Sequence, residues 1–140
     1  MQQADDKYVL DTLDKDILVA MNRPKYTWAA VPDSWLGAAY FRADIDKAAG
    51  EDVDFTVNTD VVVAYMYDSR EGYNEAIPTG FQRLPSNEVA VFHHGDITGS
   101  NHMKEVNFYF ATKKFSKGQV KFQMPSIRGE LMSHIAVQCV

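Results

Sequence analysis

Apolar and polar residues alternate along much of the chain beyond residue 52. A period of two is typical of a β-strand with one buried face. Val53, Phe55 and Val57 alternate with polar residues, and four later segments have the same character: residues 89–92, 106–110, 120–124 and 135–139. Glycine and proline residues lie between these segments, where turns rather than strand interiors are expected. The pattern predicts a series of short strands.

The run Val61 to Tyr67 is apolar on both faces, which predicts a central strand covered on both sides. The N-terminal third is less regular. Residues 8–13 and 17–21 are each compatible with a strand or a short helix, whereas 26–31 and 38–43 look extended. Residues 32–37 have Asp and Ser near their start and Gly at their end, which predicts a single helical turn.

About nine short strands at a spacing of roughly ten residues, without a long helix, are typical of an all-β fold. We therefore predict one domain over residues 1–140, built as a β-sandwich or jelly roll of antiparallel strands. A length of 140 residues suits one domain, and the hydrophobic fraction of 46% is that of an ordinary globular protein.

The charge of the chain argues against a nucleic-acid partner. The net charge is −5, and the longest basic cluster, Lys113-Lys114 with Lys117 and Lys121 nearby, is typical of a solvated strand edge. No apolar stretch reaches the roughly 18 residues of a membrane span, so none is predicted. The start of the chain reads like an initiator methionine before a trimmed mature terminus.

Cys139 is the only cysteine, so an intrachain disulfide is excluded. The favoured interpretation is a free, half-buried thiol in the last strand. The alternative is a homo-oligomer, which would assemble through Cys139 or through sheet edges.

Motifs for catalysis are missing, since the sequence has neither a GxSxG elbow nor HExxH. We predict that the chain is not an enzyme. An acidic segment offers oxygen ligands for calcium at Asp44, Asp46 and Asp52, although the spacing of an EF-hand loop is absent and a solvated turn is the alternative. Asp68 and Arg70 lie two residues apart after the apolar run, a spacing that favours an ion pair.

Aromatic residues are the remaining indication of function. The chain has 2 Trp, 7 Tyr and 8 Phe, several of them beside predicted loops. Flat aromatic faces near polar side chains suit sugar rings, but the same residues also suit a sandwich core. The candidate ligand-binding residues are Trp35, Tyr40, Asp68, Arg70 and Tyr73. Tyr73, in the polar segment 69–76, is the most plausible exposed contact, whereas Trp28 and Phe81 are expected in the core.

Seven short stretches carry a resemblance to a known family over about residues 23–122. They are Arg23 to Thr27, Val31-Pro32, Leu36-Gly37, Asp46-Lys47, Phe55 to Val57, Val61 to Arg70, and Phe115 to Val120. In this order they resemble accessory β-sandwich modules of large secreted bacterial proteins, often found beside polysaccharide-degrading domains. Two features depart from the family: residues 77–81 lack its tryptophan, and its doubled acid is here Asp44-Ile45-Asp46.

The resemblance implies a sandwich fold and a glycan-directed accessory role without catalytic residues. Together with the aromatic residues, it predicts a non-catalytic extracellular module whose partner is a glycan. The alternative is a structural or adhesive subunit that assembles with copies of itself.

Overall fold

Strands form nearly all of the regular structure in the computed structural model. It describes residues 2–3, 8–14, 18–20, 23–43, 52–69, 76–85, 88–94, 105–125 and 133–140. A 3₁₀ helix spans Asp33–Trp35, and the twelve strands are β1 (Gln2–Gln3), β2 (Tyr8–Thr12), β3 (Leu18–Ala20), β4 (Arg23–Ala30), β5 (Ala39–Ala43), β6 (Asp52–Val57), β7 (Val61–Asp68), β8 (Gln82–Arg83), β9 (Ala90–His94), β10 (Glu105–Phe115), β11 (Gly118–Gln123) and β12 (Ser133–Cys139).

The all-β prediction is confirmed for these residues, and so is the helical turn after Pro32. The two ambiguous N-terminal segments contain strands β2 and β3. Among the described residues, no helix has both the length and the apolar character to cross a membrane. The alternation of polar and apolar residues did not predict β1 and β8, because two residues are too few to show a period.

Nine strands form one curled, largely antiparallel sheet. Its strands follow the order β12-β7-β10-β9-β4-β3-β5-β2, and β8 pairs with β10. Strand β5 also pairs with β12, so the series of paired strands that begins at β12 leads back to β12. The single bridge between Ala20 and Ala43 is parallel. The other three strands form a small antiparallel sheet in the order β1-β6-β11.

Strand β7 lies between β12 and β10, and seven of its eight residues are buried. Because side chains alternate along a strand, β7 contributes to two separate layers of the core. Its even-numbered residues line what we call the inner face of the curled sheet, where Met66 lies opposite His134. Its odd-numbered residues line the outer face. Burial on both sides confirms the predicted central strand.

The outer face packs against the three-stranded sheet. Phe41 of β5 and Phe55 of β6 have ring centroids 4.7 Å apart, which joins the two sheets. Phe81 contacts Phe122 of β11 at 5.0 Å and Phe115 of β10 at 6.2 Å. Phe81 is thus buried, as the sequence predicted. The segment 76–85 therefore covers one side of the layer between the sheets.

Candidate ligand-binding surface

Two of the predicted ligand-binding aromatics lie in the core. Trp35 is 3% exposed and Tyr40 is 0% exposed. The 3₁₀ helix places Trp35 over Phe110 of β10, where the rings stack at 5.6 Å with 21° between their planes. Since both rings are enclosed by protein, neither offers a surface to a ligand in this structure.

The predicted polar residues fall at several places. Asp68 ends β7 and is fully buried, opposite Phe108 of β10. Arg70 and Tyr73 lie outside the described residues, so the Asp68–Arg70 ion pair and the exposure of Tyr73 stay predictions.

Calcium binding also stays a prediction. Asp52 begins β6 and is exposed, whereas Asp44 and Asp46 lie outside the described residues. Within the described ranges, no group of three or more His, Cys, Asp or Glu side chains could hold a metal ion.

An aromatic cluster fills the inside of the curled sheet. The ring of Trp28 meets those of Phe108, His134 and Tyr40 edge-on, with centroid distances of 5.2, 5.9 and 6.2 Å. These residues come from β4, β10, β12 and β5, so the cluster joins strands that are not all neighbours. Edge-to-face rings add roughly 0.5–1.5 kcal/mol per pair beyond burial. Trp28 thus has the core position that the sequence predicted.

His134 is unusual within this cluster. Both of its ring nitrogens, and Nε1 of Trp28, have no hydrogen-bond partner among the described residues. Burial lowers the pKa of His134 from 6.5 to about 3, because the charged imidazolium loses its hydration in the core. At neutral pH the ring is therefore uncharged and acts as a packing residue.

A partly open aromatic surface lies on the outer face, at the end of β7. Tyr67 of β7 lies opposite Tyr109 of β10, with ring centroids 5.9 Å apart and an edge-on angle of 75°. The guanidinium carbon of Arg83 lies 4.9 Å from the centre of the Tyr67 ring. Tyr67 is 2% exposed, whereas Tyr109 is half-buried and Arg83 is exposed.

Two polar residues extend this surface. The Ser69 amide donates a hydrogen bond to the Asn107 carbonyl oxygen at 3.0 Å, which continues the β7–β10 register by one residue pair. Residues directly opposite in a ladder share a face, so Ser69 and Asn107 lie on the same face as Tyr67 and Tyr109. We call Ser69, Arg83, Asn107 and Tyr109, together with the underlying Tyr67, the Tyr109 surface.

The Tyr109 surface combines the groups that a sugar ring requires. The phenol ring offers an apolar face, Asn107 offers both a donor and an acceptor, and Arg83 offers guanidinium donors. Binding sites in general combine aromatic side chains with a few placed polar groups. Tyr67 supports the surface from below, since it is packed between Tyr65 at 6.0 Å and the Arg83 guanidinium.

Sequence reasoning did not identify this surface. Alternation predicts two faces for β10 but does not say how far the three-stranded sheet covers the outer one. Arg83 comes close to Tyr67 only because the two-residue strand β8 pairs with β10 at Ala111 and Thr112. The one available signal was Tyr109 itself, a polar-tipped aromatic between two phenylalanines.

A groove of about 320 Å³ lies beside Cys139, between the 3₁₀ helix region and the end of β12. Cys139 is free and lies in the last strand, as predicted, but it is exposed and not half-buried, because it ends β12 next to the C-terminal residue. Leu36 at the rim is 44% exposed.

Searches of protein-family models, curated proteins and solved structures found no match to the chain.

Proposed function

We propose that the chain is a non-catalytic, extracellular β-sandwich module that binds carbohydrate through the Tyr109 surface. The observation that carries the proposal is the half-buried Tyr109 ring, flanked by the exposed side chains of Asn107 and Arg83. An apolar ring face beside hydroxyl-binding groups complements a sugar, which has CH faces and hydroxyls.

Three further features support this function. The outer face of the curled sheet packs on the three-stranded sheet through Phe41 and Phe55, as the two layers of a sandwich would. The resemblance to accessory modules of secreted polysaccharide-degrading proteins favours the same fold and an extracellular location. The segment 70–75, which contains Arg70 and Tyr73, follows directly after Ser69 in the chain and is adjacent in sequence to this surface.

Replacing the tyrosine ring tests the proposal. Tyr109→Ala should weaken binding to a glycan selected on an array by roughly 1–3 kcal/mol, by analogy with base–aromatic stacking. Tyr109→Phe is the matched control, because it keeps the ring and removes only the hydroxyl. Binding is measured by titration calorimetry, and folding by thermal melting. Equal affinity of a folded Tyr109→Ala protein and the parent contradicts the proposed site.

Self-assembly is the second candidate function, favoured by the exposed thiol of Cys139. Assembly through this residue would give a covalent dimer on oxidation, and Cys139→Ser would remove it. Size-exclusion chromatography with and without a reductant measures the difference. A monomer under both conditions rejects assembly through Cys139.

A further inference from the structure

A second cleft, distinct from the Tyr109 surface, opens at an edge of the three-stranded sheet. Its volume is about 520 Å³, within the range of roughly 300–1,000 Å³ typical of ligand sites. Residues 77–79 line one side, residues 121–125 line the other, and Lys113 of β10 completes the lining. Strand β11 is at the edge of its sheet, because within the described residues it pairs only with β6.

Lys113 is held in place at this cleft. Its Nζ lies 5.0 Å from the centre of the Phe115 ring. Its side chain also passes over the turn at Gly80, where φ is +87° and an added Cβ would lie 3.1 Å from Nζ. Glycine at position 80 therefore permits both the turn and the close passage of the lysine. The lysine side chain is half-buried.

Lys121 brings a second positive charge to the cleft. It lies on β11 opposite Asp54, whose carboxylate accepts a hydrogen bond from Gln119 Nε2 at 3.0 Å. In the part of the chain that the structure describes, neither Lys113 nor Lys121 forms an ion pair, and no Asp or Glu lines the cleft. A chain of net charge −5 thus places two ammonium groups in a cleft whose lining, among the described residues, contains no carboxylate.

We propose that the cleft between Lys113 and Lys121 binds an anionic substituent of an acidic polysaccharide, either a carboxylate or a sulfate. This inference rests on the proposed glycan-binding function and specifies the class of glycan. Lys113 and Tyr109 lie on the same face of β10, four residues apart. At about 3.3 Å per residue this separation is roughly 13 Å, which an oligosaccharide spans. One acidic oligosaccharide is therefore long enough to contact both Tyr109 and Lys113.

The rest of the lining supports the same ligand class. Thr79 contributes an exposed hydroxyl, and the half-buried Ile77 and Pro125 contribute apolar atoms. A sugar ring with one charged substituent has the matching combination of CH surface, hydroxyls and anion. An ammonium group acts as a point charge and lacks the fixed fork of a guanidinium, so it accommodates either a carboxylate or a sulfate.

The test uses three polysaccharides and four variants of the chain. Polygalacturonate carries carboxylates, carrageenan carries sulfates, and carboxyl-reduced polygalacturonate is the neutral counterpart of the first. Lys113→Gln and Lys121→Gln each remove one charge of the cleft. Lys114→Gln is the matched control, because Lys114 is exposed, lies next to Lys113 on β10 and is absent from the cleft lining. Lys113→Arg keeps the charge.

We expect the parent to bind polygalacturonate or carrageenan at least tenfold more tightly than the neutral polymer. Lys113→Gln and Lys121→Gln should each weaken that binding by about tenfold, whereas Lys114→Gln and Lys113→Arg should retain it. Binding should also weaken as salt rises from about 0.01 M to about 1 M, since the screening length falls from about 30 Å to about 3 Å. Thermal melting establishes whether each variant is folded. If Lys113→Gln does not fold, the comparison of Lys121→Gln with Lys114→Gln tests the inference.

Equal binding of acidic and neutral polymers overturns the inference but leaves the proposed function in place. The same holds if both lysine-to-glutamine variants in the cleft behave like Lys114→Gln. Failure of the parent to bind any glycan, on the array or among these polymers, overturns both.

Discussion

Acid should destabilise this protein in a way that depends on His134. The folded state holds its imidazole neutral, with the pKa lowered from 6.5 to about 3 by burial. The unfolded chain takes up a proton near pH 6.5, so between these two values the unfolded state binds more protons. The stability that neutral His134 provides is therefore fully present above about pH 6.5 and is lost as the pH falls.

The size of this effect follows from the two pKa values. Each pH unit between them corresponds to about 1.4 kcal/mol, so the loss is about 3 kcal/mol at about pH 4 and about 4 kcal/mol at about pH 3. Small domains are stable by only about 5–15 kcal/mol, so this one residue removes a large part of the total.

Urea denaturation of the parent and of His134→Phe at several pH values measures the effect. The phenyl ring keeps an aromatic group against Trp28, Tyr40 and Phe108 but cannot be protonated. The other three histidines are present in both proteins, so the difference between the two pH profiles reports on His134. The free energy of unfolding of the parent should fall by about 3 kcal/mol more than that of the variant between about pH 7 and pH 4. Parallel pH profiles would refute the assignment of a buried, unpaired His134.

Two other substitutions separate core from surface. Trp28→Ala should lower the free energy of unfolding by about 3–5 kcal/mol at neutral pH, because it leaves a cavity among Phe108, His134 and Tyr40. A loss below about 1 kcal/mol contradicts the described packing. Tyr73→Ala should change the free energy of unfolding by no more than about 0.5 kcal/mol and should weaken glycan binding. Thermal melting measures the first effect and calorimetry the second, and an unfolded variant rejects Tyr73 as a surface contact.

The sequence predicted strands best where the hydrophobic pattern of a single segment determines its structure. Period-two alternation located β6, β11 and β12, and the two-sided apolar run identified β7 as central. Predicted boundaries were less accurate. The alternation of β10 weakens after Phe110, at Ala111 to Lys114, but the strand continues to Phe115 because β7 pairs with it from Phe108 to Phe115.

The candidate surfaces depended on long-range pairing, which alternation does not predict. Arg83 comes close to Tyr67 through the short strand β8, and Lys113 and Lys121 lie at one cleft although they belong to different sheets. The lysines were visible in the sequence only as a basic cluster. Trp35 and Tyr40 show the opposite difficulty, since an aromatic residue beside a loop can fold inward: the 3₁₀ helix places Trp35 over Phe110.

The most direct test of glycan binding is an amide chemical-shift map of ¹⁵N-labelled protein titrated with an oligosaccharide that binds on an array. The account predicts that the largest shift changes fall on Asn107, Tyr109 and Arg83. It also predicts that these changes saturate together and disappear in Tyr109→Ala. Changes concentrated at the groove beside Cys139, or no changes with any array-selected glycan, would contradict it.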